Sequence, residues 1–294
     1  MLNRLLQILS PNQMLCNEPM SNHTSFKIGG PADFLLLPES VEQIVAIVKE
    51  FNDTPLTVIG NGSNFLVSDH GITGIVVKIA KNFSDVAVLE NKIVCQSGAL
   101  LKKIGNEAYE ASLAGFEFAS GIPGTVGGAI YMNAGAYGGE MKDVVESTKY
   151  IDKSGNVFEI DSPSHNFGYR KSFFTDKDCI ILESRIKLQN GDKKEIKEKT
   201  SDYAARRADK QPLSLPSAGS TFKRPEGHFA GKLIQDAGLA GSVIGGAQVS
   251  EKHCGFIVNK GGATAADVKN LIDFVTEQVY KKFEVKLEAE VKIL

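Results

Sequence analysis

The 294-residue chain is long enough for two or three substructures around sizeable cores, and 42% hydrophobic against 23% charged residues is the balance of a folded globular protein. A formal net charge of −2 excludes a broad basic surface, so nucleic acid is not an expected partner and an anionic ligand must be held by local donors. The four cysteines, Cys16, Cys95, Cys179 and Cys254, lie far apart and outside any C-x-x-C or Cys/His pattern, which points to reduced structural thiols, a cytoplasmic location and no metal.

At the N-terminus, Arg4 precedes the short apolar pattern Leu5, Leu6, Ile8 and Leu9, which Gln7 interrupts, and no small-residue cleavage site follows. The pattern predicts a surface helix. No stretch approaches the roughly 18 consecutive apolar residues of a membrane span, so membrane insertion is not expected.

Residues 32–60 read as strand, helix, strand: an apolar run over 34–37, Ser40 and Gln43 at capping-box spacing, then Val41, Ile44, Ile47, Val48 and Phe51 on one helical face. Pro55 closes the helix and opens a strand over 56–59. Short β-like runs follow at 75–79, 86–89 and 93–96, then a helix through Leu100, Leu101, Ile104 and Ala108. Strands resume at 144–151, 157–160 and 180–188. The charged stretch 192–210, with Ile196, Tyr203 and Ala204 as its spaced apolar contacts, predicts a solvated helix. Beyond Pro216 a strand is expected at 220–223, a helix near 229–237, a strand at 256–259, a strong helix over 265–283 and a final alternating strand over 285–293.

Two glycine-rich segments are the candidates for carrying the chemistry. The first, Gly60, Asn61, Gly62, Ser63 and Asn64, joins strand to strand where a dinucleotide fold needs strand to helix, and its G-x-G-x-x-G spacing fails at Phe65. Glycine and asparagine tolerate positive φ, so either a plain turn or a cluster of N–H groups around a phosphate fits. The second, residues 121–139, holds seven glycines in nineteen residues, a density whose entropic cost a mere connector does not require. A diphosphate across its N–H groups, with Ile122 and Val126 against a flat ring, is one reading, and a packing corner between domains is the other. No G-x-S-x-G, P-loop or H-E-x-x-H signature competes. Arg170 after Tyr169, Ser220 between Gly219 and Thr221, and Glu290 would each pass alone for an ordinary surface or strand-edge residue.

Taken together the motifs resemble the UDP-N-acetylenolpyruvoylglucosamine reductase family. The match runs in order through residues 60–64, 121–124 and 133–138, Tyr169 and Arg170, Lys210 to Pro212, Ala218 to Pro225 and Glu288 to Val291, and it covers the chain from Thr24 onward. The length matches the family's compact branch, which lacks the longer branch's substrate-domain insertion. The resemblance implies an α+β fold: a two-part, vanillyl-alcohol-oxidase-like FAD module over 1–75 and 76–200, and a substrate-binding domain over 201–294. It also implies a monomeric cytoplasmic enzyme of peptidoglycan precursor synthesis that reduces the enolpyruvyl group of a UDP-sugar with non-covalent FAD and NADPH.

By that resemblance Gly60, Asn61, Gly62, Ser63, Asn64, Gly121, Ile122, Gly124, Thr125, Val126, Gly127 and Arg207 hold the FAD, and Ser220, Arg170 and Glu290 are catalytic. Tyr169, Lys210, Lys223, Arg224 and His253 contact substrate. The chemistry requires such types: hydride delivered to the terminal carbon of an enol ether pushes charge onto the carboxylate, which a guanidinium holds bidentately. Ser220 then protonates the adjacent carbon of a strongly basic enolate-like species. Glu290 either donates to the carboxylate as a neutral acid or orients Arg170. Two other readings compete: an FAD-dependent alcohol or hydroxy-acid oxidase, which often attaches flavin through a His or Cys that neither glycine-rich segment contains, and a non-catalytic nucleotide-binding module.

Overall fold

A computed structural model describes residues 1–294. The chain forms two compact units: Met1–Leu15, Phe34–Asn61 and Gly74–Arg206 make the first, and Cys16–Asp33, Gly62–Thr73 and Arg207–Leu294 the second. The expected 1–75 segment therefore contributes to both units, and the Gly60 to Asn64 pentapeptide is divided after Asn61.

In the first unit, Ser40 caps the helix Val41–Glu50 by accepting from the Gln43 N–H at 3.3 Å. The Gln43 side chain answers through the Glu39 N–H, one residue before the expected capping-box partner. Ile44, Ile47 and Val48 go under the helix into a cluster with Leu36, Ile75 and Val77. The strand Leu56–Ile59 pairs in parallel with Ile72–Lys78, Leu56 opposite Ile75 and Ile59 opposite Lys78. A second core lies against a five-stranded antiparallel sheet in the order Val157–Asp161, Val145–Asp152, Cys179–Lys187, Lys92–Gln96, Val86–Leu89. Leu101, Ile104 and Ala108 of the helix Leu101–Glu110 pack into it.

The charged helix Lys193–Lys210 forms as expected. It is tied down by buried Ile196, by Lys199 on the buried carboxylate of Glu117 at 3.3 Å, and by Tyr203 stacked on Tyr137 at 4.4 Å. Ala204 stays exposed.

The second unit packs around the helix Ala265–Phe283, whose stripe Val268, Leu271, Ile272, Val275 and Val279 is buried, on the order of 10 kcal/mol of apolar burial. Thr264 and Asp267 form its capping box, and the Asp69 carboxylate accepts from the N–H groups of Ala265 and Ala266 at 2.8 and 3.0 Å. The helix Ala230–Asp236 and an antiparallel meander of Val243–Ile244, Ala247–Val249 and Ile257–Asn259 complete the unit.

Two expected strands are replaced by irregular chain. Residues 220–223 make one isolated bridge, Phe222 to Ala289, because Gly219 at φ +76° breaks the extended run and Thr221 divides its main-chain bonds between Gly255 and Glu290. Of residues 285–293 only Lys292–Ile293 forms a strand, in parallel with Phe65–Leu66. Leu287 and Val291 are nonetheless buried, so the alternation marked core contact without a ladder. The helix Val126–Tyr131 and the strand Met14–Pro19 carried no sequence signal strong enough to predict them.

Candidate functional site

In the first unit the loop after Leu56–Ile59 meets the turn before Val126–Tyr131. A Cβ on Gly60 would lie 2.4 Å from Thr125 Oγ1, so only glycine allows the approach, and the Asn61 amide donates to the Pro123 carbonyl at 3.2 Å. Thr125 caps the short helix by accepting from Gly128 N–H at 3.4 Å. Most N–H groups of this turn are spent inside the protein: Ile122 on Ala119, Gly124 on Ile122, Val126 on Ala99 and Gly127 on Ser97. Those of Gly121 and Thr125, and of Gly60 and Asn61, donate to no protein acceptor. Beside the turn, Ser97 Oγ is buried without a partner, and a Cβ on Gly127 would come within 2.9 Å of Ser97 Cβ. Uncommitted donors and an orphaned hydroxyl around a glycine-lined turn suit an acceptor-rich group such as the diphosphate and isoalloxazine edge of FAD.

Tyr169 and Arg170 occupy the tip of a two-residue turn closed by reciprocal bonds between Gly168 and Lys171, at 2.9 and 3.2 Å. Arg170 sits at φ +54°, a conformation a non-glycine residue adopts only when its surroundings impose it. Its guanidinium carbon lies 5.2 Å from the Tyr169 ring centroid, and Tyr169 is 51% exposed.

The second unit brings together the serine, the glutamate and the other half of the first glycine motif. Ser220 is half-buried and its hydroxyl makes no hydrogen bond within the protein. The next residue is pinned on three sides: Thr221 N–H donates to Gly255 O at 2.8 Å, Thr221 Oγ1 accepts from Ile257 N–H at 3.0 Å, and Thr221 O accepts from Glu290 N–H at 2.7 Å. One main-chain bond therefore fixes the spacing of Ser220 and Glu290. Gly62, at φ +67°, lies so close to the chain at His23 that a Cβ would stand 2.0 Å from its carbonyl oxygen. Ser25 ties Gly62 to the serine segment, its N–H donating to Gly62 O at 3.1 Å and its hydroxyl to Ser217 O at 2.6 Å.

Lys223 pairs with Glu288 at 3.1 Å, and the Arg224 guanidinium lies 3.9 Å from the Phe229 ring centroid. Burial pushes the His253 pKa below the usual histidine value, and its Nδ1 accepts from Gly255 N–H at 3.1 Å. The neutral ring therefore carries its proton on Nε2, where it can donate. Arg207 is half-buried near the end of its helix, and Lys210 is exposed.

Ser25, Ser97 and Glu140 escaped the sequence reading, and Asn133 entered it only as part of the motif 133–138, with no role of its own. Ser25 and Ser97 lie far from both glycine-rich segments in sequence, Asn133 lay inside a run read for its glycines, and Glu140 falls one residue beyond that run.

Residues 32–161 match the model of an FAD binding domain, and residues 211–294 that of the C-terminal domain of UDP-N-acetylenolpyruvoylglucosamine reductase. A reductase of that name from Clostridium botulinum (strain Hall) is 54% identical over 98% of this chain and 94% of its own length. Its counterpart in Clostridioides difficile is 52% identical over 99% and 96%. The crystal structure of the reductase from Thermus caldophilus superposes with a TM-score of 0.82 at 35% identity, covering 95% of this chain and 97% of that one. A glucose dehydrogenase, Phl p 4.0202, matches 65% of this chain and 44% of its own at TM-score 0.51 and 19% identity, a likeness of fold alone.

Proposed function

The chain belongs to the UDP-N-acetylenolpyruvoylglucosamine reductase family, and from that premise we propose that Arg170, Ser220 and Glu290 carry its NADPH-dependent reduction of the enolpyruvyl group in peptidoglycan precursor synthesis. Bound FAD would supply hydride transfer from NADPH to the terminal carbon of the enol ether. In the first unit the N–H groups of Gly60, Asn61, Gly121 and Thr125 would hold the acceptor groups of FAD, and by the family resemblance Gly62, Ser63 and Asn64 would also serve it. Ile122, Gly124, Val126 and Gly127 give the turn its shape, and Arg207 supplies positive charge.

The Arg170 guanidinium holds the substrate carboxylate while negative charge accumulates there, and it does so without rearrangement because its turn is already set. Ser220 gives its proton to the carbon beside the carboxylate. Its uncommitted hydroxyl next to the clamped Thr221 is the observation that carries this assignment. Glu290, spaced from Ser220 by the bond to Thr221, serves the same carboxylate either as a neutral donor or by orienting Arg170. Lys210, Lys223 and Arg224 favour the diphosphate, Tyr169 packs on the substrate, and His253 donates from Nε2.

By function the chain divides into an FAD module over 1–75 and 76–200 and a substrate-binding part over 201–294. No helix is long and apolar enough to cross a membrane; a cytoplasmic monomer is the form we assign, tested by gel filtration.

The reaction is tested by anaerobic absorbance titration: NADPH bleaches the flavin spectrum, and UDP-N-acetylglucosamine enolpyruvate restores it with formation of the lactyl product. Restoration by oxygen but not by the enolpyruvyl sugar would instead favour the oxidase reading.

A further inference from the structure

We propose that Asn133 is the positioning residue for Arg170, and that the glycine-rich segment after it is built to hold this asparagine and the arginine turn in register. The inference rests on the reading above that Arg170 binds the substrate carboxylate.

Asn133 is 1% exposed and sits at φ +44°. Its amide is fully engaged. Nδ2 donates to Gly168 O at 3.0 Å and to Glu140 Oε2 at 3.0 Å, while Oδ1 accepts from Lys142 N–H at 3.0 Å. Gly168 O also accepts from Lys171 N–H at 3.2 Å, so both its lone pairs are filled, one by the turn and one by Asn133. The other stem of the turn is tied to the same segment: Ser172 Oγ and Thr175 Oγ1 donate to Tyr131 O at 2.7 and 3.2 Å. The two stems flanking Arg170 are thus anchored two residues apart, at Tyr131 and Asn133.

The glycines between Asn133 and Glu140 make this possible. Gly135–Ala136 and Gly139–Glu140 fold back as a minimal hairpin. A Cβ on Gly139 would fall 2.6 Å from the Phe118 ring and one on Gly135 would fall 2.7 Å from Gly139 O, so larger residues would open the hairpin and withdraw Glu140 and Lys142 from Asn133. Glu140 is ion-paired with Lys142 at 2.8 Å. Its pKa is lowered chiefly by the Lys142 hydrogen bond, against the opposing effect of burial, with Asn133 and the charge of Arg170 adding smaller contributions. The carboxylate that grips Asn133 therefore also lies in the field of Arg170.

Since Arg170 is held at positive φ, loss of the Gly168 anchor frees the turn to relax, and the guanidinium leaves the place where the carboxylate must meet it. The test compares two ligands on the FAD-loaded enzyme by flavin difference spectra: UDP-N-acetylmuramate, which carries the carboxylate, and UDP, which does not. In Asn133→Gly, which keeps the backbone conformation, and Asn133→Asp, which keeps only the acceptor for Lys142, the carboxylate ligand should bind about tenfold or more weakly, with UDP binding and the rate of flavin reduction by NADPH within twofold. In the double variant Asn133→Gly with Arg170→Ala, carboxylate binding should fall no further than in Arg170→Ala alone.

Full additivity in the double variant, equal loss of UDP and carboxylate binding, or failure of both Asn133 variants to fold and retain flavin would overturn the proposal. An Arg170→Ala enzyme that binds UDP-N-acetylmuramate normally would overturn the assignment of Arg170 itself. Loss in Arg170→Ala with none in Asn133→Gly would remove only the positioning role.

Discussion

The side-chain amide of Asn64 donates to the main-chain carbonyl of Glu290 at 3.2 Å, and the Lys292 N–H donates to the Asn64 carbonyl at 3.0 Å. An asparagine read from sequence as a cofactor donor thus spends its amide on the peptide of the glutamate proposed above as catalytic. Asn64→Ala should slow reoxidation of reduced enzyme by substrate at least tenfold, because it removes the amide's hold on the Glu290 carbonyl, while flavin affinity falls by less than threefold. Single-turnover absorbance and flavin titration separate the two. A change in flavin affinity alone would return the amide to the cofactor.

Ser220→Ala should leave bleaching of the flavin by NADPH within twofold of the parent enzyme and slow reoxidation by the enolpyruvyl sugar by about 10² to 10⁴, the usual range for removal of a positioned acid. Stopped-flow measurement of the two half-reactions gives the answer directly. Equal damage to both would make Ser220 a structural residue, since only the second half-reaction needs the proton.

The sequence and the structure agree where local pattern and tertiary context push in one direction. The stripe from Val268 to Val279 marked a helix because periodicity is a property of adjacent turns, whereas the cap at Thr264 is seen only in the structure. The pentapeptide from Gly60 was correctly placed between two strands, for the same reason. Residues 220–223 misled because they bond to two different segments, around Gly255 and Glu290, and no local pattern encodes a divided set of partners. Asn133 was hidden by its neighbours: seven glycines suggest a ligand, whereas several of them serve close backbone packing and much of the N–H inventory is already satisfied. The roles proposed for Arg170, Ser220 and Glu290 come from an ordered set of motifs, since each residue alone is chemically ordinary.

Gly60 and Thr125 provide a test of the packing that shapes the turn proposed to hold the cofactor. Gly60→Ala places a methyl 2.4 Å from Thr125 Oγ1, so the threonine must leave its cap on Gly128. The substitution should cost about 1–3 kcal/mol of stability and weaken FAD binding. Thr125→Ala alone should cost about 1 kcal/mol through the lost cap. The double variant should be more stable than the two single losses predict, because the methyl then occupies the space the hydroxyl vacates. Urea titrations of the four proteins close the cycle, and strict additivity would exclude the contact as the reason for glycine.

His165 should make stability depend on pH near neutrality. It is fully buried between Asp161 O at 2.7 Å from Nδ1 and Thr148 Oγ1 at 2.8 Å from Nε2, and its ring stacks on Phe167 at 4.7 Å. A carbonyl only accepts, so Nδ1 carries the proton and Nε2 accepts from the Thr148 hydroxyl, which in turn accepts from Ser184 Oγ at 3.2 Å. Burial lowers the His165 pKa below its ordinary value near 6.5, outweighing the hydrogen bonds that would raise it. Below about pH 6.5 the unfolded chain takes up a proton that the folded chain refuses, so this histidine's contribution falls with pH, by up to about 1.4 kcal/mol per unit, until the lowered folded pKa is reached. Above pH 6.5 both states are neutral and the contribution is constant. His165→Phe keeps the ring but strands Asp161 O and Thr148; it should lower stability at pH 7.5 by about 1–3 kcal/mol while flattening the decline between pH 7 and 5. Urea titrations at several pH values measure both effects, and a variant whose decline with acid matches the parent would assign that sensitivity to other groups.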